Sequence, residues 1–113
     1  MKNTLLFFFV ISFFLTKSVD AQKVFSVDAA YKADVKVFVV DAPYKADLLV
    51  YKEYSAYRAK GNRGLWFFTK AAYQAKKKIY FVDAAYKADL KIYFVKSSYQ
   101  AKWKKKNKKH LMY

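Results

Sequence analysis

Residues 102–113 hold six lysines and no acid, and the run Lys102-Trp103-Lys104-Lys105-Lys106-Asn107-Lys108-Lys109 has the plainest chemical potential in this 113-residue chain. Clustered ammonium groups bind polyanions by displacing condensed counterions, and an indole among them can stack or insert. Arg58, Lys60 and Arg63 form a second basic group, and Lys76-Lys77-Lys78 a third. No base-reading motif accompanies them, so the expected partner is an anionic polymer bound without sequence preference: a glycan, lipid headgroups or DNA. The competing reading of the lysine run is a solvated terminus whose charge maintains solubility.

Catalytic chemistry has little to work with. The chain has one histidine, His110, no cysteine and eight acids. His110 lies beyond the lysine run and reads as a solvated residue. The aspartates at 28, 34, 41, 47, 83 and 89 recur at fixed places beside lysines. A calcium stack built on such a repeat needs glycine-rich loops, and the only glycines are Gly61 and Gly64. We therefore expect no enzyme, no metal and no cofactor. The aspartates are expected to be structural: those at 28, 41 and 83 as caps that accept backbone N–H groups, the set as partners for lysines. Regularly spaced tyrosines could form a ladder for sugars or nucleobases, but such a row is expected to be corner packing. Trp66 sits beside Arg63 yet inside an apolar run, which predicts burial.

The elements that must position these groups come from a repeat. Tyrosines at 31, 44 and 57, and again at 73, 86 and 99, stand thirteen residues apart within each trio, and each opens a Tyr-x-Ala step. Three units read Val27-Asp28-Ala29-Ala30-Tyr31-Lys32-Ala33-Asp34, Val40-Asp41-Ala42-Pro43-Tyr44-Lys45-Ala46-Asp47 and Val82-Asp83-Ala84-Ala85-Tyr86-Lys87-Ala88-Asp89. A copied unit this small cannot bury its apolar face without neighbours. Between the corners lie β-branched and aromatic runs over 24–27, 35–39, 48–51, 65–68, 78–82 and 90–95, with a truncated seventh over 101–104, all predicted as strands. Leu90, Ile92 and Phe94 alternate with Lys91, Tyr93 and Val95, which assigns the first set to the core. Each corner has room for at most one helical turn. Pro43 takes the place of Ala30 and Ala85, so the N–H there is dispensable. The third unit is followed by Lys60-Gly61-Asn62-Arg63-Gly64, where the tyrosine spacing stretches by three residues and a backbone reversal at the glycines is expected. Elsewhere the lack of glycine argues against tight hairpins. On these residues alone, a β-solenoid and a small closed β-ring both remain open.

Residues 1–21 read as a secretory signal peptide: Lys2, the apolar stretch Leu5 to Leu15 interrupted by Ser12, and small residues at Val19-Asp20-Ala21. The rival reading is an uncleaved anchor, for which the stretch is short. Cleavage after Ala21 predicts a secreted or periplasmic protein that begins at Gln22. Losing Lys2, Lys17 and Asp20 lowers the net charge only from +15 to +14. The remainder divides into a repeat domain over 22–103 and a basic tail over 104–113.

Val-Asp-Ala-Ala-Tyr-Lys-Ala-Asp-Leu-Lys-Ile-Tyr-Phe-Val at 82–95, the glycine-bounded break before Leu65-Trp66-Phe67-Phe68, and the closing Tyr99-Gln100-Ala101-Lys102-Trp103 together resemble the septoil-knot domain, a bacterial family of unknown function. The resemblance spans about residues 23–103. It implies an all-β ring of about seven short strands in which the chain makes two laps and ends as a seven-crossing torus knot. Seven strands shared over two laps are compatible with one continuous path in which each lap lies between the strands of the other. Lys70, Lys76 and Lys96 stand where the family's repeat carries aspartate, which weakens any acidic role there. The expected function is that of an exported, non-enzymatic structural or interaction module, its basic face and tail engaging anionic polymers. The alternative is a self-associating structural protein whose basicity serves only solubility.

Overall fold

The computed structural model describes residues 21–113, so the leader expected over 1–21 lies, apart from Ala21, outside the described residues. Seven strands form: β1 (Lys23–Ser26), β2 (Val35–Val39), β3 (Leu48–Lys52), β4 (Leu65–Phe68), β5 (Lys77–Phe81), β6 (Leu90–Phe94) and β7 (Lys102–Trp103). Each of the first six is followed by a corner with a single 3₁₀ turn: η1 (Ala30–Lys32), η2 (Pro43–Lys45), η3 (Ala56–Arg58), η4 (Ala72–Gln74), η5 (Ala85–Lys87) and η6 (Ser98–Gln100). A longer 3₁₀ segment, η7 (Lys106–Met112), ends the chain. The turns are short because the spacer admits only two successive i to i+3 closures, such as Lys32 N–H to Ala29 O and Ala33 N–H to Ala30 O, both at 3.1 Å. Pro43 opens η2, where no N–H is required.

The strand order is β4-β1-β5-β2-β6-β3-β7, and β3 also pairs with β4, so six strands close a ring and β7 lies outside it. All six ring pairings are parallel, whereas β7 runs antiparallel to β3, with Leu48 opposite Trp103. The first lap supplies β1, β2 and β3, the second β4, β5 and β6, and the two alternate around the ring. Each strand passes from one neighbour to the next along its length: β2 pairs with β5 through Val35–Val37 and with β6 through Val37–Val39. Within a lap each connection therefore steps over one strand of the other lap, whereas η3 joins the paired neighbours β3 and β4; η1 lies over β5, η2 over β6, η5 over β2 and η6 over β3.

The period of two holds. Val24, Val35, Val37, Leu48, Val50, Trp66, Ile79, Leu90 and Ile92 fill the ring, with Phe68 and Phe94 packed against them. A smaller outer cluster under the corners joins Val40, Ala46 and Leu49 to Phe38, Tyr93 and Val95. Trp66 is buried as expected, edge-on to Phe68.

The aspartates divide their labour differently from the expectation. Asp28, Asp41 and Asp83 do not cap; the turn N-caps are Ala29, Ala42 and Ala84, without a side-chain bond. Each instead accepts from the lysine four residues on, Lys32, Lys45 or Lys87, at 3.0, 2.9 and 3.0 Å. The backbone is served by the second aspartate of each unit. Asp34 donates its N–H to Lys78 O at 2.8 Å while its Oδ2 accepts Lys78 N–H at 2.9 Å. Asp47 makes the same two-point clasp with Lys91, and Asp89 with Lys36. Each clasp joins one lap to the other at the start of a strand, where a donor would otherwise lack a ladder partner.

Gly61 and Gly64 adopt φ of 74° and 93°, as the break requires. A Cβ at Gly64 would run into the Leu49 carbonyl, and Gly64 O accepts Tyr51 N–H at 2.8 Å where β3 hands over to β4. Gly64→Ala is expected to cost about 2–3 kcal/mol from positive φ and the clash, read as a lower denaturant midpoint; an unchanged midpoint would show that ring closure does not depend on this approach.

Candidate functional site

The six corner tyrosines are exposed, at 66–87%, so the expectation that they pack is corrected. The ring interior is filled by strand residues, and the corners lie outside it. Beside the exposed rings stand cations: Lys32, Lys45, Arg58 and Lys87 lie 5.6–5.9 Å from the centroids of Tyr31, Tyr44, Tyr57 and Tyr86. At η1, η2 and η5 the same lysine also pairs with Asp28, Asp41 or Asp83. The lysine hydrogen bond, and then its charge, lower each of these carboxyl pKa values.

The corners are not alike, and their differences are ordered. Where the first position of the corner is aspartate, the residue four on is lysine (28/32, 41/45, 83/87). Where it is Lys70 or Lys96, the residue four on is Gln74 or Gln100, which avoids placing two ammoniums at i and i+4. Since each corner follows its strand, the ring order of corners is η4, η1, η5, η2, η6, η3. The three Asp–Lys corners thus fall together, and so do η6, η3 and η4. This second arc holds one acid, Glu53, against Lys52, Arg58, Lys70 and Lys96, with Lys60 and Arg63 on the loop that follows η3. Lys52 ties the arc together, its ammonium 4.7 Å from the Phe94 ring and 5.5 Å from the Phe68 ring.

Between neighbouring corners run equivalent grooves. One, of about 560 Å³, is lined by Phe25, Val27, Asp28, Lys32, Ala72 and Lys78. Its thirteen-residue image, of about 510 Å³, is lined by Phe38, Val40, Asp41, Lys45, Ala85 and Lys91. The third image lies between η2 and η6, at about 670 Å³, and no acid lines it: Tyr93, Val95, Lys96, Gln100, Pro43 and Leu49 take the corresponding places, with Tyr99 and Lys102 beside them.

The predicted basic residues separate into two groups. Arg58, Lys60, Arg63, Lys102, Lys104 and Lys106 are exposed. Trp103 is not free to stack: it is 8% exposed, and its indole N–H donates to Asn62 O at 2.9 Å. Lys105, itself exposed, and the half-buried Lys108 pair with Asp47, at 3.6 and 3.2 Å. Asn62 also donates to Lys109 O at 2.8 Å, which brings the Lys60–Arg63 loop against the C-terminal segment. Residues 104–113 are therefore not a solvated tail. Met112 is fully buried in the main core with Leu111 packed on it, and Met112 O accepts from the buried Gln22 amide at 3.2 Å. The sequence-based reading noted Lys70 and Lys96 only as departures from the repeat and left them, with Gln100, out of the candidate site; the signal was the joint change at positions 70/74 and 96/100. Among the described residues no three His, Asp or Glu side chains gather as metal ligands would.

Asp47 anchors the terminal segment. Its side chain is 1% exposed. Burial pushes its pKa up, but the Lys91 N–H, the Lys108 hydrogen bond and the charges of Lys108 and Lys105 outweigh it and hold the group below its ordinary 3.8. A folded-state pKa below the unfolded one means that the contribution is present above about pH 4 and is lost as pH falls through the folded value. Asp47→Asn is expected to lower stability by about 2 kcal/mol at neutral pH and to flatten the loss of stability below pH 4, because the removed group no longer takes up a proton on unfolding. Denaturant titrations at several pH values check both. Met112→Ala is expected to cost about 2–4 kcal/mol, the range for truncating a buried side chain; a cost near zero in the same assay would return residues 104–113 to solvent.

A six-stranded parallel ring wound twice by one chain, each lap filling the gaps of the other, defines a closed and interlaced all-β class. The family model described as the 7(1) septoil knot domain matches residues 21–104, and the chain belongs to that family. No curated protein and no solved structure gives a significant match.

Proposed function

We propose that this protein is an exported, non-enzymatic interaction module that holds anionic polymers on the cationic arc of its corner rim. The observation that carries the reading is the sorting of corners: Arg58, Lys70 and Lys96, from three corners in both halves of the chain, fall on one side of the ring, and the self-neutralised Asp–Lys corners on the other. A one-sided field of this kind raises the local concentration of a polyanion and orients it. Export rests on the apolar leader of the sequence. The terminal lysines contribute less than their number suggests, since Lys105 and Lys108 are engaged with Asp47.

Retention on heparin at low salt should fall steeply as salt rises, with the slope of log K against log salt counting the cations engaged. The triple reversal Arg58→Glu, Lys70→Glu, Lys96→Glu is expected to reduce that slope by about 3 and to cut retention strongly, whereas Lys32→Glu, Lys45→Glu and Lys87→Glu should have a smaller effect on the slope. Equal effects from the two triples, or no retention of the unaltered protein at low salt, would sink the proposal. The exposed tyrosines favour a second reading, self-association through the rim, which light scattering would register as concentration-dependent mass with no response to polyanion.

A further inference from the structure

Resting on that reading, we infer that the groove between η2 and η6 is a binding site for a carboxylate-bearing sugar unit of an anionic glycan. Three features separate it from its two repeat images. It is the largest of the three, and it alone has no carboxylate in its lining. The acid that lines the other grooves, Asp28 or Asp41, is replaced by Lys96, and Lys102 adds a second ammonium at the mouth. Neither lysine has an acidic partner within salt-bridge reach among the described residues.

The lining matches a sugar in two further respects. Tyr93 and Tyr99, with Val95 and Pro43, present flat and apolar surface for the C–H face of a pyranose, and the phenolic hydroxyls stay available to sugar oxygens. Gln100 is held in place by a reciprocal capping arrangement, its Oε1 accepting Ser97 N–H at 3.2 Å and the Ser97 side chain accepting the Gln100 N–H. Its amide N–H₂ is thereby left to donate. A groove of about 670 Å³ that offers two cations, a fixed amide donor and two phenol faces is equipped for one or two acidic sugar units.

The neighbouring corners decide between a glycan and a nucleic acid. A polymer that leaves the cationic arc across this groove meets η2, then η5, then η1, with exposed Asp41, Asp83 and Asp28, each paired with its lysine. A phosphodiester chain carries a charge at every unit and would find no net positive charge to match it at these self-neutralised corners. A glycan whose carboxylates are spaced by neutral units can set a charge at the acid-free groove and present hydroxyls to the aspartates, which accept them.

The test uses a hyaluronan tetrasaccharide, in which acidic and neutral sugars alternate, with cellotetraose and single-stranded dT12 as comparators, by calorimetric titration at low salt. The tetrasaccharide is expected to bind, cellotetraose at least 10-fold more weakly, and dT12 without competing for the groove. Lys96→Glu with Lys102→Glu should weaken the tetrasaccharide at least 10-fold while heparin retention is only reduced, since Arg58, Lys60, Arg63 and Lys70 remain. Tyr99→Ala, at an exposed ring that leaves the core untouched, should weaken it about 5-fold with the thermal midpoint unchanged. No binding of the tetrasaccharide, binding indifferent to both variants, equal binding of cellotetraose, or displacement by dT12 would each overturn the inference. If heparin retention persists in that event, the broader polyanion reading stands without this groove; if heparin retention is also absent, both fall.

Discussion

No strand of the ring is hydrogen-bonded to a strand of its own lap. The backbone groups of β1, β2 and β3 are satisfied by β4, β5 and β6, and the reverse, so neither half of the chain is a sheet by itself. The three aspartate clasps close over 44 or 53 residues, and every ring pairing follows the same separations except β3–β4, where Tyr51 lies opposite Leu65. Contacts so distant in sequence must be established together, which makes folding of this topology a late and concerted event. The apolar interior is complete only when all six strands are present, so burial and ring closure are the same step.

The same alternation governs the surface. Within each lap, corners that follow one another along the chain are separated around the ring by a corner of the other lap, and chemistry from both halves of the sequence is gathered into two arcs. One is neutralised locally by Asp–Lys pairs, and the other carries nearly unopposed positive charge. The terminal segment adds charge to the molecule while using part of that charge internally: Lys108 reaches both Asp47 and the Asp89 carbonyl, tying two clasp aspartates to the end of the chain. Its indole and methionine are structural, and its remaining exposed lysines extend the field.

The period of thirteen made the strands and corners legible, because a β-branched run with alternating polarity and a short alanine-rich spacer leave few other conformations. Leu90, Ile92 and Phe94 point inward as their spacing requires. The roles of the aspartates were not legible. Asp28 and Asp34 sit in one unit with similar neighbours, and only ring closure decides which of them meets a strand N–H from the other lap. The tyrosines defeated a burial rule that suits aromatic residues in general, since the interior is narrow enough to be filled by valine, leucine and isoleucine with a few larger rings. The end of the chain was judged on its lysines, yet Leu111 and Met112, two apolar residues at its close, determine where it lies. The acid-free groove was written in the paired changes at 70/74 and 96/100, but the neighbours that give those changes meaning come from η2 and η3, which no linear inspection sets beside them.

Alternation also restricts how such a molecule can change its size. Slippage that added one thirteen-residue copy to a single lap would leave two consecutive strands of that lap with nothing between them, and their edges would face each other across a gap meant for a partner. Enlargement must therefore proceed by matched additions, one in each lap. Ancestry in this architecture would then be counted in even steps, unlike an open solenoid that lengthens by any number of turns.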